Sequence, residues 1–324
     1  FLIGTISDPE HVPTYRYRPG GDMNQQLTES KMIFALDAKT GELVWKYTAK
    51  HSIRNNAIAI GNRAVVLIDR EQATFDRRRD GKADETNHPT GELIALQLDT
   101  GDVIWKNTEE IYGTVAAISE NHHSVMMSYQ PTRFRLASEV GGKISVFDLS
   151  TGKHKWTKEA KYESRPLLNK DTIYAQGGAW DILTGDKRPF NFKRSYGCGI
   201  LAGSRDMMVF RSATLGYFDL TRNEETEDYG GIRPGCWINV LPAGGLVFAP
   251  DGSAGCKCSY LNQSWIALQS DGLRAPRIES ESFSDPEQVT IRLVPDSGKP
   301  DLRYTLDGTS PTVDSPLYQS PFPV

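Results

Sequence analysis

The chain has 324 residues, 38% hydrophobic and 24% charged, with a formal net charge of -4 and a pI near 5.9. That is enough chain for two domains, or for one large all-β domain with an appendage. The charge balance argues against nucleic-acid binding, because the densest basic run, DRRRDGK at 76–82, carries its own acids; no apolar stretch approaches the roughly 20 residues of a membrane span.

FLIGTI at the start reads as the middle of a strand, without an initiator Met, a basic region or a cleavage site. Any targeting signal is therefore expected outside this stretch, and both ends read as cut. FALDAKTGELVW at 34–45 follows: an apolar strand, Thr-Gly, three residues, then Trp. The same pattern returns as ALQLDTGDVIW at 95–105 and SVFDLSTGKHKW at 145–156. It predicts hairpins in which Gly41, Gly101 and Gly152 supply a positive φ, and Trp45, Trp105 and Trp156 cover a sheet. Two weaker copies are WDILTGDKRPF at 180–190 and FDLTRNEET at 218–226, where Asn223 takes the glycine position.

Between these hairpins lie other strands. SIRNNAIAI at 52–60 is an innermost strand, followed by RAVVLIDR, GELIALQLD and DVIWKNT to complete a four-stranded unit. IYGTVAAIS at 111–119, ESRPLLN at 163–169, YGCGILAG at 196–203 and GCWINVLPA at 235–243 are the corresponding innermost strands further on. This gives about six blades, the first without its innermost strand; a closed ring of seven or eight would need more sequence. After IALQSDGLRAP the text changes, and RYTLDGTSPT…SPLY at 303–318 reads as a separate β-module with a turn at Asp307-Gly308.

The ALDAxTGxxxW repeat resembles the pyrroloquinoline-quinone-type β-propeller repeat, found in quinoprotein alcohol dehydrogenases and in cofactor-free propellers such as the outer-membrane assembly lipoproteins. The tail resembles the C-terminal β-sandwich domain of chitobiases and β-hexosaminidases, which is not itself catalytic. SYGCGILAGS, GIRPGCWINVLPAGG and AGCKCSY further resemble a group of large multidomain propeller proteins from planctomycete-type bacteria. The expected fold is all-β: a propeller with four-stranded blades over 1–272 and a partial sandwich over 273–324.

In an up-down blade, the start of the first strand and the end of the second lie at one edge. Cys198 and Cys236 begin innermost strands, and Cys256 and Cys258 follow the second strand GLVFAP, so all four converge beside the channel mouth. Disulfides between the pair and the two singletons are the leading reading. A four-thiolate metal site has one residue between two ligands, tighter than usual; reactive free thiols are the third reading.

The same edge collects Arg54, Asn55, Asn56, Tyr112, Arg165, Tyr196, Arg233 and Trp237, together with the insertions at 69–91 and 128–142. Of these, Arg54, Asn55, Tyr112, Arg165, Tyr196, Arg233 and Trp237 are the candidate ligand-binding set. In the quinoprotein relatives this face holds the quinone, stacked on a Trp with Arg, Asn and Ca²⁺. Here no Glu, Asn and Asp set stands at matching strand ends, and Lys257 separates the cysteines. Each arginine alone could simply bond loop carbonyls, but several together would favour an anion.

Other motifs read as surface. His122-His123 lies in a turn on the opposite face, and Asp76, Asp80 and Asp84 around Gly81 lack the spacing of a calcium loop. Asn262-Gln263-Ser264 is a formal glycosylation triplet. The expected function is a non-catalytic ligand- or protein-binding scaffold module of a secreted or periplasmic protein. Its partner would be an anionic small molecule, a carbohydrate or a protein. A dehydrogenase using pyrroloquinoline quinone and calcium, or a metal or redox role for the cysteines, are the alternatives.

Overall fold

The computed structural model describes residues 1–7, 29–71, 91–129, 142–195, 197, 199–235, 240–250, 262, 264–269, 277–282, 289–294, 302–307, 309, 311, 312 and 314–323. Every regular element among them is a strand, and all pairings are antiparallel. No helix among the described residues is long and apolar enough to cross a membrane.

A six-stranded sheet opens the chain: β1 (Leu2–Ile6), β2 (Glu29–Leu36), β3 (Leu43–Ile60), β4 (Ala64–Arg70), β5 (Glu92–Gln97) and β6 (Val103–Asn107). Three four-stranded sheets follow. They are β7 (Val115–Ser119) to β10 (His154–Glu159) through β8 (Ser124–Ser128) and β9 (Lys143–Asp148); β11 (Leu167–Asn169), β12 (Thr172–Ala175), β13 (Gly178–Asp181) and β14 (Lys187–Arg188); and β15 (Ala202–Gly203), β16 (Met207–Ser212), β17 (Thr214–Asp219) and β18 (Glu227–Tyr229).

The six-stranded sheet is two blades joined. β3 is 18 residues long and serves both: its first half pairs with β2, and Ser52 onward pairs with β4. The sequence predicts a separate innermost strand beginning at Ser52, whereas the chain stays extended through the junction. Asp69 explains this. Its buried carboxylate accepts the backbone N–H groups of Lys50, His51 and Ser52 at 2.6, 2.9 and 2.9 Å, so the amides that leave the ladder at the irregularity are satisfied. Blade 1 is thus β1, β2 and the first half of β3; blade 2 is the second half with β4, β5 and β6.

The innermost strands lie side by side in the order β3, β7, β11, β15, which is the arrangement of a propeller. Strand β4 is buried on both faces, the reason AVVLIDR reads as one unbroken apolar run. Val65 and Leu67 pack with Ile33, Ala35 and Trp45 of blade 1. Val66 and Ile68 pack with Ile111, Tyr112, Val125 and Met127 of blade 3.

The hairpin glycines do two things. Gly101, Gly152 and Gly185 have φ of +74°, +69° and +72°, as the turns require. They also receive an indole from the preceding blade: a Cβ at these positions would lie 2.7, 2.4 and 2.9 Å from Trp45, Trp105 and Trp156. Each indole Nε1–H then donates to a carbonyl of the same turn, Leu98, Leu149 or Ile182, at 2.7, 2.8 and 2.9 Å. Where blade 4 offers Pro189 instead of Trp, the next turn carries Asn223 at φ +51°. Asn191 bonds Asn223 twice, and Phe190 and Phe192 fill the junction against Phe210 and Phe218. Without an indole overhead, the turn tolerates a side chain.

The chain divides into two compact units, Phe1–Leu241 with Ala249–Trp265, and Pro242–Phe248 with Ile266–Val324. The second holds most of a three-stranded sheet, β19 (Leu241–Ala243), β20 (Leu246–Ala249) and β21 (Ile266–Gln269). It also contains β22 (Arg277–Ser282), β23 (Val289–Val294) and β24 (Phe322–Pro323), with Tyr304 stacked on Phe322 at 4.5 Å between ring centres.

Candidate functional site

The edge at which innermost strands begin and second strands end is where the sequence places its candidate residues. Arg54 is there, in β3, but it is 3% exposed and ion-paired with Glu29, whose carboxylate also accepts the Ser52 hydroxyl. The Arg54 Nη2 donates to Glu71 O at 2.9 Å, while its Nε has no hydrogen-bond partner. Asn55 is exposed, and its Oδ1 accepts the Ser30 hydroxyl at 2.8 Å.

Tyr112 sits in the core between blades 2 and 3. Its ring lies 5.1 Å from that of Tyr129, and its hydroxyl meets Ser145 Oγ at 2.7 Å, which in turn meets Thr157 Oγ1 at 2.7 Å. Burial pushes this phenol far above the usual tyrosine range. Arg233 is also buried, and its backbone is clasped by Asn262, which accepts from N and donates to O at 3.1 and 2.8 Å. Asn262 heads the glycosylation triplet, so the fold engages both atoms of its amide. Arg165 is partly buried two residues before β11 and makes no hydrogen bond or ion pair with a described residue; burial draws its pKa down from the ordinary guanidinium value.

Tyr196, Trp237 and all four cysteines, with the pairing expected of them, lie outside the described residues. So does most of each insertion.

Three residues at this edge escaped the sequence reading. Arg70, fully buried at the end of β4, donates to Tyr112 O at 2.6 Å and ties blade 2 to blade 3. Arg211 holds the matching end of β16 and is also buried. Arg194 donates from Nε to Arg211 O at 2.6 Å and from Nη1 to Gly199 O at 3.2 Å. The signal was present: AVVLIDR and MMVFRS are apolar strands with a single guanidinium near the end.

Among the described residues, the donor set does not fit a quinone with calcium. The two described carboxylates buried here, Glu29 and Asp69, hold Arg54 with Ser52 and three backbone amides respectively, leaving neither poised as a metal ligand or a base. Among the described residues no group of three or more His, Cys, Asp or Glu could hold a metal ion.

Blades joined by indole-on-glycine contacts define a propeller of quinoprotein-type repeats. The family described as "Outer membrane protein assembly factor BamB" matches residues 20–186, just over half the chain, and the chain belongs to that family. The chitobiase/β-hexosaminidase C-terminal domain matches residues 278–324. Among solved structures, BamB from Moraxella catarrhalis is 15% identical, with 82% of this chain and 77% of that one covered and a TM-score of 0.45. The Pan2 WD40 domain of Neurospora crassa is 9% identical over 81% and 80%, with a TM-score of 0.42. A europium-containing methanol dehydrogenase is 15% identical over 45% and 26%, at 0.27. No curated protein sequence matches the chain.

Proposed function

We propose that this chain is a non-catalytic binding module of an extracytoplasmic protein. The propeller offers the strand-start edge of its ring to a partner, and residues 273–324 form a separate sandwich module. The observation that carries this reading is the use made of the edge's carboxylates. Glu29 and Asp69, the described acids best placed for acid–base work, both act as internal clamps of the fold. The family's description as an assembly factor supports a protein as the partner.

The test is to load the folded chain with pyrroloquinoline quinone and calcium and supply alcohols and sugars with an artificial electron acceptor. The reading expects acceptor reduction no faster than the cofactor blank and no quinone retained through gel filtration. Sustained turnover would overturn it.

A further inference from the structure

Each hairpin turn of the propeller is followed by three residues that lead into the outermost strand of its blade. Blades 3 to 5 fill these places with Lys153-His154-Lys155, Asp186-Lys187-Arg188 and Glu224-Glu225-Thr226. Charged side chains there guard an outer strand against pairing with another chain. Blades 1 and 2 depart from this rule. After one acid, Glu42 or Asp102, they place Leu43-Val44 and Val103-Ile104, whose side chains are 57%, 43%, 44% and 47% exposed. Exposed apolar residues are ordinary when scattered; here they recur at the same two places of adjacent repeats.

The two pairs lie together. Trp45, next to Val44, covers Gly101, where a Cβ would come within 2.7 Å of its ring, and Val103 and Ile104 follow that glycine by two and three residues. Both strands have an outer edge that no described strand covers: β6 ends its sheet, and the first half of β3 pairs with β2 alone. Each also carries an irregularity at its apolar pair, opposite Ala35–Leu36 and Ala95–Leu96. A bulge of that kind works against adding a further strand to the ladder, so this surface is met through its side chains.

The charges say what would meet it. Both strands read acid, apolar, apolar, Trp, Lys, from Glu42 to Lys46 and from Asp102 to Lys106, and all four charged residues are exposed. Glu42 and Asp102 accept the hydroxyls of Thr40 and Thr100 in their own turns, and Lys106 meets Glu92 at 3.6 Å while staying 45% exposed. Two such strands laid antiparallel bring the acid of each opposite the lysine of the other, with the apolar pairs between. The pattern is its own complement, which is what a two-fold interface requires. The same end positions hold Lys153 and Thr157 in blade 3, Asp186 and Phe190 in blade 4, and Glu224 and Asp228 in blade 5, and none of these pairs is self-complementary.

We propose that the outer rim of blades 1 and 2, with Leu43, Val44, Val103 and Ile104 at its centre, is the face through which two copies of this chain associate about a two-fold axis. This surface is distinct from the strand-start edge and independent of the binding-module reading. Four apolar side chains per copy make a contact well below the roughly 800 Å² per partner of a standard interface, so the dimer is weak and forms at high local concentration.

The test is sedimentation of the whole chain from about 10 µM to about 1 mM, the range that weak association calls for. Wild type should dimerise reversibly with concentration. Leu43→Ser combined with Val103→Ser should lower the association constant about tenfold or more. Two charge variants test the arrangement itself. Glu42→Lys with Asp102→Lys leaves both ends of each strand basic, and Lys46→Glu with Lys106→Glu leaves both acidic. Each alone should stay monomeric, because like charges then face each other, and an equimolar mixture of the two should dimerise again. If the acidic variant does not fold for want of the Lys106–Glu92 contact, Lys46→Glu alone takes its place in the mixture. A wild type that remains monomeric throughout, a dimer that every variant leaves intact, or a mixture that stays monomeric overturns the proposal. Each of these outcomes leaves the quinone test of the binding-module reading untouched.

Discussion

The indole of Trp105 covers the α-carbon of Gly152 so closely that a Cβ there would come within 2.4 Å of the ring. Gly152 is therefore constrained twice, by its φ of +69° and by the ring above it. Gly41 has φ +75° with nothing within 4 Å, so it is constrained once.

This pair separates two costs that usually travel together. Gly41→Ala should destabilise by about 1 kcal/mol, the cost of a left-handed alanine. Gly152→Ala should cost roughly 3 kcal/mol, because overpacking against Trp105 adds to it. Equilibrium urea unfolding of both variants checks this, and equal losses would mean that the indole moves aside freely.

Asp69 gives the second prediction. Replacing it with Ala leaves the N–H groups of Lys50, His51 and Ser52 without their shared acceptor in a buried place. Losses of about 3 kcal/mol or more are expected for a buried acceptor of that kind. Asp69→Asn should fall between, since one amide oxygen replaces two carboxylate oxygens. Hydrogen exchange at 50–52 should rise more than elsewhere; uniform exchange would show that the clamp is dispensable.

Acid stability should depend on the turn aspartates. Arg188 holds Asp171 down at about 2, and the Thr221 hydroxyl and amide hold Asp219 at about 2. Asp37 is likewise lowered by the N–H groups of Thr40 and Lys39. A carboxyl with a depressed folded-state pKa contributes stability that is complete above its unfolded value of about 4 and disappears as pH falls towards the folded value. Stability should therefore decline between about pH 4 and pH 2. Arg188→Met should raise the Asp171 pKa and flatten part of that slope. Carboxyl-carbon NMR titration reads it directly, and an unchanged Asp171 would contradict the pairing.

Ala213 occupies φ +59° between β16 and β17, in the region a side chain resists. Ala213→Gly should stabilise by about 0.5–1 kcal/mol, the relief of the left-handed alanine outweighing the looser unfolded chain. A lower melting temperature would show that the methyl group packs usefully.

The repeat was legible because its physics is local. A turn needing positive φ shows itself as Gly41, Gly101, Gly152 and Gly185, and Asn223 was the permissible exception. What the Trp positions did not reveal is where each indole goes. Trp45 finds its partner carbonyl at Leu98, on the next blade, and no local pattern encodes a contact over that separation. The Asp at the head of four of these turns was overlooked. Asp37, Asp148, Asp181 and Asp219 each accept two backbone N–H groups of their own turn. Gln97 holds that place in blade 2.

The candidate site was legible as a place and less so as a set of roles. Topology put Arg54, Tyr112 and Arg165 at one edge. It could not tell which would be used up within the fold, because Glu29 and Ser145 are brought to them by other strands.

β3 also bears on how the array comes apart. In a chain of repeats, each unit ordinarily meets its neighbour across a seam, and stability divides into terms for units and seams. Between blades 1 and 2 a single strand crosses that seam, so neither can lose its order without fraying the other. Under denaturant or tension these two should behave as one double-sized cooperative block, while the later blades retain the option of opening singly.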